Sequence, residues 1–180
     1  MEQNLDDTVA VLSRTPSVLN ALLRSLPAFW TQANEGKDTW NAVAIVGHLI
    51  HGERTDWIPR ARMILKSGES KTFEPFDMKG HLGEIEGKSL NQLLDEFEKL
   101  RTNSLFELRA WKLQPSDLEK RGRHPELGSV TLSELLATWA THDLTHLHQL
   151  TRVLASQYRD AVGPWEQYQG VFHCAGHGTK

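Results

Sequence analysis

The sequence predicts an all-α protein built on four main helices, and three observations carry that reading. Apolar side chains recur at three- and four-residue steps through four long segments. Ser, Thr, Asp or Asn stands near the start of these segments, and Gly and Pro gather in the connections between them. At 180 residues the chain fits one domain, with a core over about 5–158 and a C-terminal extension over 159–180.

The first helix runs through Val9, Leu12, Val18, Leu19, Leu22, Leu23 and Leu26. Thr15-Pro16, read as an N-cap followed by a first-turn proline, divides it into a short and a longer piece. Pro27 weakens its end, where Phe29 and Trp30 are expected to pack, and the polar stretch from Asn34 to Asp38 is a loop. Asp38 or Thr39 then caps a second helix that runs from about Asn41 towards Ser67-Gly68 and carries Val43, Ile45, Val46, His48, Leu49 and Trp57.

From Ser67 to Lys88 the helical period is lost, with Gly68, Pro75, Gly80, Gly83 and Gly87 as punctuation and Phe73, Phe76 and Met78 as expected anchors. A connection of about 20 residues is long for a compact domain, so it serves either as a cover or as a crossover between helices. His81 within it reads as a solvated loop residue. Ser89 caps a third helix from Leu90 to about Leu113, with Leu93, Leu94, Phe97, Leu100, Leu105, Leu108 and Trp111 inside and Glu96, Glu98, Lys99 and Arg101 outside.

A second connection, Ser116 to Val130, leads to Thr131, which with Glu134 makes a capping box for the last long helix. That run reaches Gln157 without Gly or Pro. Beyond Tyr158 come Gly163-Pro164 and a short amphipathic C-terminal helix over Trp165 to Phe172.

Composition narrows function by exclusion. A formal net charge of −3, a pI of about 6.3 and the lack of a Lys/Arg cluster argue against nucleic-acid binding. No run approaches the roughly 20 apolar residues of a membrane span. The acidic, polar start MEQNLDDTVA lacks the pattern of a secretory signal, and the single cysteine, Cys174, suits a reducing compartment, so a cytoplasmic protein is expected.

The chemistry centres on His142-Asp143-Leu144-Thr145-His146. Residues four apart lie one above the other on a helix, about 6 Å along the axis, so both imidazoles can face one metal ion. Leu135, Trp139, His142, His146, Gln149 or Leu150, and Val153 recur on one stripe, which places the pair among apolar neighbours. Two imidazoles in a core need partners; a divalent cation satisfies both, and carboxylates or carbonyls such as those of Glu53 and Asp56 are the alternative. His48, between Ile45 and Leu49 on the second helix, is the third candidate ligand. His51, one turn on and closer to the polar boundary, is its competitor. Asp143 reads as a solvated or salt-bridging residue rather than a general base. The terminal His173, Cys174 and His177 form a weaker second candidate cluster, because a glycine-rich terminus supplies no rigid geometry.

Several pieces occur together in order: Thr39-Trp40, Gly47-His48-Leu49 with Glu53, the stretch from His124 to Leu132, and His142-Asp143-Leu144-Thr145-His146 with Gln149. In these residues, over about Leu5 to Tyr158, the chain resembles the DinB-like superfamily. The resemblance implies an antiparallel four-helix bundle, often a homodimer, in which His48, His142 and His146 bind nickel or zinc. It also implies a small-molecule substrate and, in members that are S-transferases, a low-molecular-weight thiol such as bacillithiol, mycothiol or glutathione. A metal-dependent transferase or hydrolase is therefore the first expectation, since a divalent cation lowers the pKa of a coordinated thiol or water by several units. A non-catalytic metal-binding or stress-related structural protein is the alternative. A structural site of that kind prefers four protein ligands.

Overall fold

The computed structural model describes residues 4–174, and its architecture is a four-helix bundle. Two of the four rods are broken in the middle, and each break follows from a proline. The first rod is α1 (Leu5–Leu12) followed by α2 (Thr15–Leu23). Pro16 has no N–H for the carbonyl of Leu12 four residues back, so the helix stops and restarts. After the short α3 (Ala28–Gln32), the second rod is α4 (Ala42–Thr55) and α5 (Trp57–Ser67). Pro59 does the same to the carbonyl of Thr55, and Asp56 forms the joint with φ −109° and ψ −73°.

A single turn of 3-10 helix and the five-residue α6 (His81–Ile85) lie in the long connection to α7 (Leu90–Ala110), the third rod. The four-residue α8 (Pro115–Leu118) follows, then an antiparallel hairpin of β1 (Arg121–His124) and β2 (Gly128–Thr131). The fourth rod is α9 (Leu132–Ser156), after which α10 (Arg159–Val162) and two 3-10 turns lead to Phe172. Capping boxes at Ser89/Gln92 and Thr131/Glu134 start α7 and α9 where the sequence predicts.

The core separates into two apolar clusters. One gathers Leu12, Trp57, Ile64, Leu105, Leu108 and Trp139; the other gathers Leu19, Leu23, Ile50, Leu93, Phe97 and Leu150. Along the chain, the first and fourth rods pass from the first cluster to the second, and the middle two rods pass the other way. Rods two and three therefore run in the same direction, and the segment between them has to travel back along the bundle. This is the physical reason for its length: a rod of 26 residues is about 39 Å long, beyond the reach of a tight turn.

Between the clusters every rod contributes a polar residue to a buried belt. Arg101 of α7, 1% exposed, donates to Glu53 Oε1 of α4 at 2.9 Å and to both carboxylate oxygens of Asp143 of α9, at 2.5 and 3.0 Å. It also donates to the carbonyl of Leu12 at 2.9 Å, the one that Pro16 leaves without a helical donor. Thr15 Oγ1 donates to Asp143 at 2.5 Å, and Trp139 Nε1 donates to Glu53 at 3.0 Å. Burial pushes the Glu53 carboxyl above its ordinary range, against the pull of Arg101.

Several local expectations are corrected here. Arg101 lies inside, not outside, because two buried carboxylates hold its charge. Thr15 is not the N-cap of α2; Arg14 takes that position and the Thr15 hydroxyl is committed to Asp143. The cap of α4 is Asn41, whose side chain accepts from the Ala44 N–H, rather than Asp38 or Thr39. Phe29 and Met78 are exposed, whereas Phe73 is buried. The 116–130 connection contains a hairpin, and the C-terminal piece is α10 plus 3-10 turns rather than one continuous helix. No helix among the described residues is long and apolar enough to cross a membrane.

Candidate metal centre

His48 sits two turns into α4, and His142 and His146 sit one turn apart in the middle of α9. At this level the Glu53–Arg101–Asp143 belt ties both helices to α7. Side chains four apart on α9 point the same way, so its two rings lean together towards α4. The result is convergence of three Nε2 atoms: His48 to His142 at 3.0 Å and His142 to His146 at 3.1 Å. One ligand atom from each of the three lies within 4.8 Å of the others, and among the described residues this is the one such cluster of three or more metal-ligating side chains.

The chemistry of the donors fits a divalent cation. His146 Nδ1 lies 2.9 Å from Gln149 Oε1, an acceptor, so Nδ1 carries the proton and the Nε2 lone pair faces its neighbours. His142 Nε2 stands between two other Nε2 atoms and carries at most one proton, too few to satisfy both contacts as hydrogen bonds. Bonds of about 2.0–2.1 Å from a shared ion reach nitrogens that are about 3.0–3.4 Å apart, which matches the spacing of His142 Nε2 from each of the other two.

Aromatic side chains frame the cluster. Trp40 packs on His48 with centroids 4.8 Å apart and stacks on His146 at 6.3 Å; Trp57 meets His142 edge-on at 5.0 Å, and Phe76 meets His48 at 5.3 Å. The rings open on a cavity of about 930 Å³, bounded further by Arg60, Phe73, His124 and Leu135. Such a volume accommodates a small molecule.

The remaining candidates lie elsewhere. His51 faces α6, where its ring occupies the space a Cβ on Gly80 would take and its Nδ1 lies 3.8 Å from Glu84. His81 is not solvated as expected: it is 6% exposed, bonded to the Met78 carbonyl at 3.0 Å and packed on Trp40 at 4.7 Å. The turn of α6 tucks it under the tryptophan, and burial holds its pKa below the ordinary 6.5. Asp143 and Glu53 project into the belt and not into the cavity, and the belt's hydrogen bonds occupy both Asp143 oxygens. Asp56 bonds Arg60 at 2.5 Å instead of a histidine. Of the terminal trio, Cys174 lies 3.2 Å from His148 and His173 meets the Glu166 carbonyl, while His177 lies outside the described residues. Sequence reasoning missed Trp40, Arg60 and His124 as cavity-lining groups, although the pairing of Asp56 with an arginine four residues on was a legible signal.

Comparison with known proteins adds three findings. A family model described as the DinB superfamily matches residues 12–150. YfiT from Bacillus subtilis, described as a probable metal-dependent hydrolase with an unusual four-helix bundle topology, superposes with a TM-score of 0.72 at 19% identity, over 87% of this chain and 86% of that one. TT2238, described as a four-helix bundle protein, superposes with a TM-score of 0.55 at 21% identity, over 82% of this chain and 98% of that one. No curated protein sequence matches the chain.

Proposed function

The chain belongs to the DinB superfamily, and from that premise we propose that it is a metal-dependent enzyme of the hydrolase or thiol S-transferase type, with His48, His142 and His146 as ligands of nickel or zinc. The observation that carries the reading is the meeting of three Nε2 atoms at 3.0 and 3.1 Å with the His146 tautomer set by Gln149. The description of YfiT as a metal-dependent hydrolase agrees with it.

A divalent cation held there supplies Lewis acidity to a nucleophile or to an electrophilic substrate. The chain's own residues do the rest. Trp40, Trp57 and Phe76 exclude water from the inner side of the cavity, which strengthens electrostatic interactions within it. Gln149 orients the His146 ring, and the Arg101 belt holds α4 and α9 in the register that brings the rings together. The cavity receives a small, largely apolar substrate and, for S-transfer, a low-molecular-weight thiol.

Three protein ligands beside a large cavity favour this over the structural alternative, because structural zinc sites take four protein ligands. The test is metal analysis of protein purified without chelator, set against a His142→Ala/His146→Ala variant. We expect about one nickel or zinc per chain in the wild type and loss of it in the variant. Equal metal in both would remove the ligand assignment.

A further inference from the structure

The cavity has a second polar wall, on the side formed by α5 and the hairpin, that metal binding does not use. Arg60 is 8% exposed and lines the cavity. Its Nε forms an ion pair with Asp56 Oδ1 and its Nη2 donates to the Glu74 carbonyl at 3.0 Å, and the guanidinium carries five N–H groups, more than these contacts use. His124, at the end of β1, accepts at Nδ1 from the backbone N–H of Glu126 at 3.2 Å and of Leu127 at 3.1 Å. The hairpin turn thereby fixes the tautomer: Nδ1 is the acceptor, so Nε2 carries the proton and is a donor. Burial and then the Arg60 charge hold the His124 pKa below its ordinary value, which keeps the ring neutral at neutral pH.

Both groups border the same ring. The Arg60 guanidinium lies 5.2 Å from the Phe73 centroid, and the His124 ring meets Phe73 edge-on at 6.3 Å. The Phe73 N–H donates to the Arg123 carbonyl at 2.9 Å, so the loop and the hairpin form one wall. We propose that Arg60 and His124 bind the carboxylate of a small, mainly apolar carboxylic acid whose hydrocarbon part lies against the aromatic side chains of the cavity. The proposal rests on the reading of this cavity as a substrate site and narrows its substrate to that class.

The charges select a monoanion. Arg60 and Asp56 together with a neutral His124 carry no net charge, so the Asp56 carboxylate repels a dianionic phosphate about twice as strongly as a monoanionic carboxylate, with no surplus positive charge to offset it. An arginine shared between two carboxylates is an arrangement this protein already uses, at Arg101 between Glu53 and Asp143. A fork of guanidinium donors matches two carboxylate oxygens, and a neutral imidazole N–H adds a further donor without adding charge.

The experiment is calorimetric binding of 4-phenylbutanoate and of its neutral analogue 4-phenylbutanamide to the full chain, metal-free and zinc-loaded. The wild type should prefer the carboxylate by about tenfold in both forms. His124→Asn retains an acceptor for the turn, while its shorter amide stops short of the position of the imidazole Nε2 and so withdraws the cavity donor, which should cut the preference about threefold. Asp56→Asn/Arg60→Gln removes both charges together and should abolish it. A metal-free preference below fivefold, or a full preference in His124→Asn, overturns the proposal even where the double variant fails to fold. A preference seen only with zinc also overturns it, because the carboxylate is then binding the cation. That result leaves the metal reading standing. A preference in a protein that binds no zinc has the opposite meaning and fails only the metal reading.

Discussion

Replacing Arg101 with Met tests whether the polar belt is what locks the bundle together at its middle. The guanidinium is 1% exposed and the side chains of Glu53 and Asp143 are fully buried, so the substitution strands two carboxylates with no counter-charge and leaves the Leu12 carbonyl without a donor. Removing one partner of a buried ion pair costs about 3–5 kcal/mol, chiefly through the charge left behind. For a chain of this size that corresponds to a fall in Tm of roughly 6–20 °C. The assay is urea unfolding of metal-free protein followed by circular dichroism, with an unchanged m-value as the sign that the same transition is being compared. A companion variant, Glu53→Gln/Arg101→Met/Asp143→Asn, removes every charge of the belt and should recover most of the loss, since desolvating amides costs far less than desolvating unpaired carboxylates. A loss below about 1 kcal/mol in Arg101→Met would refute the reasoning, because it would mean that the carboxylates are satisfied without the arginine.

Other outcomes follow from the same structure. Gln149→Leu deletes the acceptor that orients His146 and should weaken zinc binding about 10–100-fold in a chelator competition without unfolding the chain; an unchanged affinity would separate Gln149 from the site. Gly122→Ala would place a Cβ 2.7 Å from Ile64 Cγ1 and 2.8 Å from Phe73 Cζ, so it should cost about 1–3 kcal/mol in thermal or urea unfolding, and full stability would show that the hairpin can shift freely. His81 has a pKa lowered by burial, so between that value and 6.5 the unfolded chain binds more protons than the folded one. The stability this residue contributes is therefore complete above about pH 6.5 and is lost as the pH falls through the folded value. The unfolding free energy of the wild type minus that of His81→Asn should shrink from pH 7.5 to pH 5.5, and a constant difference would contradict the assignment.

The legible part of the molecule was the part written in strong periodicity and capping. Ser89 as a cap and Thr131 with Glu134 as a capping box announce the starts of α7 and α9, and the spacing of His142 and His146 within an apolar stripe places both on the inner face. What stayed hidden depends on partners distant in sequence. Arg101 occupies a position whose neighbours Glu98 and Lys99 suggest an outer face, and only Glu53 and Asp143, 48 and 42 residues away, give its charge a reason to be inside. The hairpin carries Arg121, Arg123, His124 and Glu126, with strands of four residues, and so lacks the apolar alternation that marks a strand. His81 lies in a segment with no period to read, and its burial comes from a single turn of helix closing on Trp40. In the sequence the second rod reads as one helix from about Asn41 towards Ser67-Gly68, and its joint at Asp56 was missed although Pro59, which cannot bond the carbonyl of Thr55, signals it.

The separation of the histidines along the chain has a consequence for biosynthesis. His48 and His142 stand 94 residues apart and meet only when α4 and α9 have packed. At 5–20 residues per second a ribosome takes roughly 5–19 s to reach His142 after releasing His48 from its active centre. For all that time the nascent chain holds no three-imidazole chelate. A cation held by all three imidazoles would require α4 and α9 to be packed, so occupancy of such a centre would report that these two helices have met.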